Sequence, residues 1–206
     1  EFVKRTKMGV LTEDLIGKRV AVIGAGNTAI DGATCAVRLG AEQVDILYRR
    51  TEKEMTAYQY EYEFAKQDGV RFKWLTAPKR IIGDEAGKVV GLECVKMKLG
   101  EAGADGRQRS KVVKGSEFVI EVDAVIKAIG QTRFVPLIEA FGLQHTNGVV
   151  DIDETTMQTS NDKVFACGDV VFGNGQGEAM VVTAAQQGKD AANIIHERFK
   201  KQSGNA

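Results

Sequence analysis

The chain has 206 residues, enough for one or two small domains with a real core. Its 28 lysines and arginines balance 28 aspartates and glutamates, so no global charge draws it to nucleic acid or to a membrane surface. No apolar run approaches the roughly 18 residues of a membrane span, and no secretory signal is visible, so a soluble, cytoplasmic protein is expected.

Residues 1–18, EFVKRTKMGVLTEDLIGK, have no clear period and read as an incoming connection. A chain that opens this way, just ahead of a βαβ pattern, reads as a piece of a longer one. The pattern follows at once. Val20-Ala21-Val22-Ile23 is a short apolar strand, Gly24-Ala25-Gly26-Asn27-Thr28-Ala29 a glycine turn, and the next residues a helix of small and apolar side chains. A second strand, Val44-Asp45-Ile46-Leu47-Tyr48, ends in Arg49-Arg50. This is the spacing of a unit that grips a dinucleotide. Gly24 permits the sharp turn, and Gly26 lets the backbone approach a pyrophosphate. Ala29 takes the third position, where helix and strand lie close. The N–H groups at the helix start, at the positive end of its dipole, attract phosphate.

The tip of the second strand selects the dinucleotide. An NAD site usually carries an acid there for the ribose 2′-hydroxyl. Arg49 and Arg50 favour a 2′-phosphate instead, and so NADP(H). Asp45 is the competing candidate, but it lies in mid-strand.

Tyr58, Glu61, Tyr62 and Ala65 recur at three- and four-residue spacings and predict a helix ending near Gly69. Glu61 and Glu63 are read as surface acids of that helix. Residues 70–75, VRFKWL, alternate as a strand and complete βαβαβ. The runs Lys79–Gly83, Lys88–Leu99 and Glu117–Glu121 are strand-like and joined by turn-rich segments, which predicts an antiparallel meander inserted in the parallel sheet. Its long turn, GEAGADGRQRS, is expected to be a solvated hairpin tip carrying Arg107, Arg109 and Lys111. Residues 122–131, VDAVIKAIGQ, predict a buried strand and a glycine turn. A short helix at 134–141 and a short strand at 148–153 follow. A short apolar strand then ends in Gly168-Asp169. The last helix, about 178–199, is expected to pack through Val181, Val182, Ala185, Ala192, Ile195 and Phe199. Cys35, Cys94 and Cys167 form no CxxC pair, which argues against a redox disulfide, a zinc site or an iron–sulfur cluster in these residues. Cys35 and Cys94 are expected to be small buried hydrophobes. His145 and His196 have no ligand-forming neighbours in sequence and are read as bystanders.

Four stretches, GAGNTAIDGA, YRR, KAIGQ and VFACGDV, resemble the small subunit of NADPH-dependent glutamate synthase and its relatives. These are two-dinucleotide flavoproteins related to adrenodoxin reductase and thioredoxin reductase. EMTAYQYEYEFAKQDGVRFKWLTAP and GLECVKMKLGEAGADGRQR resemble most closely the pyridine-nucleotide-oxidising subunit of bacterial dihydropyrimidine dehydrogenase. The resemblance spans nearly the whole chain. It implies an α/β fold: a Rossmann-like parallel sheet with the inserted meander, then the C-terminal remnant of a FAD-binding domain. It divides the chain into an NADP(H)-binding domain at 1–127 and that remnant at 128–206. The family's first FAD-binding motif and its iron–sulfur cysteines are not in the sequence.

The same resemblance implies roles for single residues. Gly24, Gly26, Asn27 and Thr28 would line the pyrophosphate, and Arg49 and Arg50 the 2′-phosphate. Ala128, Ile129 and Gly130 match the turn between the nucleotide domains. Gly168-Asp169 match the second flavin motif, whose aspartate accepts hydrogen bonds from the ribityl hydroxyls. Ala179, Met180, Val181 and Val182 would turn backbone N–H groups toward the flavin pyrimidine edge. The implied activity is hydride transfer from NADPH to FAD and onward to the iron–sulfur centres of a large catalytic subunit. The pyrimidine-reducing variant and a nucleotide-binding module without turnover are the alternative functions.

Overall fold

The computed structural model describes residues 1–10, 17–102, 108–173 and 180–203. The chain divides into two units, Glu1–Gly130 and Gln131–Ala206.

The first unit runs α1 (Phe2–Lys7), β1 (Arg19–Ile23), α2 (Asn27–Arg38), β2 (Gln43–Leu47), a 3-10 turn (Glu52–Glu54), α3 (Gln59–Gln67) and β3 (Arg71–Lys73). Then come β4 (Thr76–Gly83), β5 (Val89–Ala102), β6 (Gln108–Val112), β7 (Phe118–Glu121) and β8 (Ala124–Lys127). The strands β3-β2-β1-β8 form a parallel sheet in that order.

Strand alternation explains its layers. Val20, Val22, Val44 and Ile46 face the helices and are buried with Ala29, Ile30, Ala33 and Ala36 of α2 and Ala65 of α3. Ala21 and Leu47 point the other way and are buried with Leu92 and Cys94 of β5 and with Val122. The meander thus covers one face of the parallel sheet and the helices the other, so a run of apolar residues without alternation is what this sheet requires. Tyr62 and Ala65 of α3 are buried, as their spacing predicts.

Asp45 shares the meander face with Ala21 and is only 1 % exposed. Burial of a carboxylate is costly without partners. Arg71 supplies two hydrogen bonds of 2.8 Å, and the Gln43 amide a third at 3.0 Å.

Several expectations shift. The strand expected at 70–75 is cut to three residues, because Leu75 turns the chain with φ of +50° and β4 starts at Thr76. Arg109 and Lys111 lie on β6, paired with β5, rather than on a solvated tip; Arg107 lies outside the described residues. The strand before the glycine turn is half-buried, because β8 pairs only with β1 among the described residues. The incoming segment holds α1, whose first residue, Phe2, packs against the α2 core. Residues 11–16 lie outside the described residues.

The second unit contains α4 (Val135–Ala140), the hairpin of β9 (His145–Thr146) and β10 (Val149–Val150), a 3-10 turn at Gly168–Val170 and α5 (Val181–Ser203). Ile138, Val150 and Val171 form its core with Leu143, Ile152 and Ala166. The strand expected before Gly168 forms no ladder among the described residues; a single bridge, Gln158 to Phe165, stands in its place. The last helix packs on a side rotated from the expected one: of the six residues named, only Ile195 is half-buried, and Ala185 and Ala192 are exposed. Val181 and Val182 are 87 % and 76 % exposed and Phe199 is 61 % exposed, whereas Ala191 is buried and Gln187 is half-buried. Small side chains decide this: Ala184 lies under the Gly168 turn, within 3.5 Å of where a Cβ would stand.

Cys35 and Cys94 are buried, as expected, and all three cysteines are free. Burial pushes the Cys94 thiol up to about 11. No helix among the described residues is long and apolar enough to cross a membrane.

One ion cluster ties β8 to the start of β1. The Asp123 carboxylate accepts the Arg19 amide at 2.8 Å and the Lys18 amide at 3.0 Å, and the Arg19 guanidinium at 2.8 Å. Arg19 first, then the amides, hold the acid down at about 2. A depressed carboxylate stabilises the fold above its unfolded value, and that stability is lost as pH falls through the folded value. Thermal melts should therefore show a drop between about pH 4 and 2 that is smaller in Asp123→Asn, which should cost about 1 kcal/mol at neutral pH. Identical pH profiles for both proteins would contradict the assignment.

Candidate functional site

The parallel sheet brings three sequence-predicted segments to one edge. β1, β2 and β8 run parallel and in register, with Ile23 opposite both Leu47 and Lys127. Gly24, Arg49 and Ala128 therefore all emerge from the carboxyl ends of neighbouring strands. In open α/β sheets that edge is where ligands lie.

Gly24 has φ of +122°, and a Cβ there would stand 2.2 Å from the Ala128 carbonyl oxygen. Its amide donates to the Leu47 carbonyl at 3.0 Å, and the Ala128 amide donates to Ile23 at 2.8 Å. The turn is thus locked to both neighbouring strands. Gly26 is the N-cap of α2 in extended backbone, and its carbonyl accepts the Ala29 amide at 2.8 Å. The amides of Gly26, Asn27 and Thr28 find no acceptor among the described residues. Thr28 is exposed. A helix start with unpaired N–H groups and no acid in its first turn is a place that favours an anion.

Asn27 also makes a contact that the motif does not announce. Its side-chain oxygen accepts the Tyr58 amide at 3.0 Å, and the Ala25 carbonyl accepts the amides of Thr56 and Ala57 at 3.2 and 3.1 Å. The glycine turn is therefore buttressed by residues 56–58. Ile129 is exposed and Gly130 has φ of +87°, so the second turn leaves the sheet at once beside the first.

Arg49 is exposed and Arg50 half-buried. Neither forms an ion pair or side-chain hydrogen bond among the described residues, and the Arg50 Nε is buried without a partner. The contrast with Arg19 and Arg71, each engaged by a carboxylate, is plain. Asp45, the competing acid, is occupied by Arg71 on the meander face. Glu63 pairs with Lys66 at 2.8 Å on the α3 surface, and Glu61 is half-buried.

In the second unit, Gly168, Asp169, Phe172, Met180, Ala184 and Gln187 pack around the Gly168 turn and leave no room for a water between them. Gly168 has φ of +72°, and its amide donates to the Gln187 side-chain oxygen at 2.7 Å. Asp169 is exposed. Val181 opens α5; Ala179 lies outside the described residues. His145 accepts the Gly148 amide on Nδ1 at 3.2 Å, which closes a turn, and His196 is exposed on α5. Among the described residues, no group of three or more His, Cys, Asp or Glu could hold a metal ion.

Gln187, Thr51 and Glu54 were not anticipated as supporting residues. The T-x-x-E spacing of Thr51 and Glu54 was a usable signal for a local cap; Gln187 had none.

Residues 3–188 match the model of the pyridine nucleotide-disulphide oxidoreductase family, and the chain belongs to that family. It is 43 % identical over 190 residues to the glutamate synthase [NADPH] small chain of Azospirillum brasilense, covering 89 % of this chain and 38 % of that one. It is 40 % identical over 195 residues to the NADPH-Fe(3+) oxidoreductase subunit beta of Geobacter sulfurreducens, covering 84 % of this chain and 29 % of that one. The chain thus spans well under half the length of these relatives. The thioredoxin reductase of T. acidophilum superposes with a TM-score of 0.71 at 23 % identity, over 91 % of this chain and 55 % of that one, and shares its fold. The resemblance to the glutamate synthase small subunit read from the sequence holds.

The two glycines differ in what they tolerate. Gly24→Ala forces a positive φ on alanine and a clash with backbone, and should cost at least about 3 kcal/mol of stability. Gly26→Ala meets only the Thr56 hydroxyl, 3.3 Å away, and should cost under about 1 kcal/mol. Denaturant melts of the two variants check this, and equal losses would contradict it.

Proposed function

We propose that this chain is the pyridine-nucleotide part of a flavin-dependent oxidoreductase that takes reducing equivalents from NADPH. The observation that carries the reading is the pair of unengaged guanidiniums, Arg49 and Arg50, on the loop that leaves β2, the strand next to β1, whose own turn opens the free amides of α2. In a chain that pairs its buried acid with arginine, leaving these two without carboxylate partners is consistent with an external anion. A 2′-phosphate carries nearly two negative charges at neutral pH and accepts several hydrogen bonds.

The residues present fit the dinucleotide. Gly24 and Gly26 keep side chains out of the pyrophosphate path. The amides of Gly26, Asn27 and Thr28 donate to its oxygens. Arg49 and Arg50 hold the 2′-phosphate. Ala128, Ile129 and Gly130 form the neighbouring wall. The domains read as 1–127 for NADP(H) and 128–206 as the returning part of a FAD-binding domain. There Asp169, set by Gly168, would accept flavin ribityl hydroxyls, and the start of α5 around Met180 and Val181 would face the flavin pyrimidine edge. When both cofactors are bound, the chemistry supplied is hydride transfer from the nicotinamide to the flavin. The chain's own contribution is binding, orientation and a set of fixed dipoles. No catalytic acid, base or nucleophile in this chain is assigned to the reaction.

The relatives are named as a small chain and a subunit beta. This supports a catalytic partner that accepts the electrons through iron–sulfur centres outside these residues. Glutamate synthesis is the favoured destination, on the strength of the identity to the small chain. Neither nucleic acid nor a membrane is part of this reading.

Titration of the 206-residue chain with NADPH and NADH tests it. Each charge-assisted hydrogen bond contributes about 1.5–3 kcal/mol, so NADPH should bind tighter by about tenfold or more. The Arg49→Ala, Arg50→Ala double variant should bind both dinucleotides alike. Equal affinity in the parent would overturn the NADPH assignment.

A further inference from the structure

The loop that carries the arginine pair is more tightly tied than a nucleotide motif requires. One carboxylate oxygen of Glu54 accepts both the Thr51 amide, at 2.9 Å, and the Thr51 hydroxyl, at 2.6 Å. The Tyr48 hydroxyl donates to the Glu54 carbonyl at 2.8 Å, and the Tyr48 ring stands edge-on to Trp74. On the other side, the Arg50 carbonyl accepts the Leu75 amide and the Tyr48 carbonyl the Thr76 amide, both at 2.9 Å. Arg49 and Arg50 thus ride on a short bridge fixed at each end.

Of the two acids on this bridge, Glu52 turns to the Tyr62 hydroxyl, and Glu54 is the one tied to Thr51. It feels the Arg50 charge, and its carboxyl is held below the usual range chiefly by the Thr51 hydroxyl, yet it forms no ion pair with Arg50 among the described residues. Had it swung onto Arg50, it would neutralise the cation that an incoming phosphate needs. Thr51, sitting between them, holds it back. The hydroxyl of Thr51 is in turn spent on Glu54 and is not offered to the ligand.

We propose that Glu54, pinned by Thr51, is a positioning residue that sets the preference for the 2′-phosphorylated dinucleotide. It shapes the Arg49-Arg50 turn without touching the ligand. The proposal rests on the NADPH reading above. It implies that the useful property of Glu54 is its acceptor oxygen rather than its negative charge. A glutamine would serve, since its side-chain oxygen accepts the same two hydrogens.

The test is the ratio of NADH to NADPH dissociation constants, followed by the fluorescence of Trp74, the single tryptophan of the 206-residue chain. Glu54→Ala should weaken NADPH by about tenfold and leave NADH within about twofold, so that the ratio falls. Glu54→Gln should keep the parent ratio or raise it, and also guards against loss of fold as the explanation. Thr51→Val, which removes only the hydroxyl, should lower the ratio by about two- to fivefold. Parallel weakening of both dinucleotides by Glu54→Ala overturns the proposal and leaves a purely structural cap. So does an unchanged ratio in Glu54→Ala, or a Glu54→Gln variant as unselective as Glu54→Ala. These failures occur with a parent that still prefers NADPH. A parent without that preference fails the reading of the site itself, and the proposal with it.

Discussion

The close passage of the Gly24 backbone beneath the Ala128 carbonyl is the constraint on which the remaining geometry depends. Two neighbouring parallel strands end together there, and a side chain at Gly24 would hold them apart. Because they do meet, α2 starts at the sheet edge with its first amides facing outward, and the turn after β8 lies beside it. The apolar alternation of β1 then distributes the load, with Val20 and Val22 to the helices and Ala21 to the meander. Neither layer alone buries both faces of a parallel sheet.

Charge placement separates ions engaged within the fold from those without an internal partner. Asp45 and Asp123 are both drawn into the fold, the first by Arg71 and the second by Arg19 with two backbone amides. Such pairs offset the cost of taking a carboxylate out of water. Arg49 and Arg50 have no such partner among the described residues, and the two acids on their own loop are engaged elsewhere, Glu54 by Thr51 and Glu52 by Tyr62. On the proposed reading, a dianion returns to this pair what it forgoes in internal pairing. Its field is strongest where amide dipoles and guanidiniums point at the same space.

The sequence made the dinucleotide half of the chain legible for a physical reason. A strand, a glycine turn and a helix in close succession leave few ways to satisfy the backbone, so Gly24 and Ala29 declare their structural roles by spacing alone. The helix through Tyr62 and Ala65 was equally readable, since its buried face repeats at helical period. The second unit was less so. An apolar period on α5 named Val181, Val182 and Phe199, but the packed side was decided by how closely Ala184 and Gln187 approach the Gly168 turn. Periodicity measures amphipathicity, and small residues that permit close approach hardly register in it. The strand expected before Gly168 failed similarly: an apolar run supplies the side chains of a strand without supplying a neighbour to pair with. The bond from Asn27 to Tyr58 links residues 31 positions apart, and no local pattern carries it.

The most direct measurement is amide and guanidinium NMR of the isotopically labelled chain during addition of NADP⁺ and, separately, NAD⁺. The account predicts that both ligands move the amide signals of Gly26, Asn27 and Thr28, and that only NADP⁺ moves the Nε–H signal of Arg50. Amide shifts confined to other segments, or an Arg50 signal indifferent to NADP⁺, would contradict it.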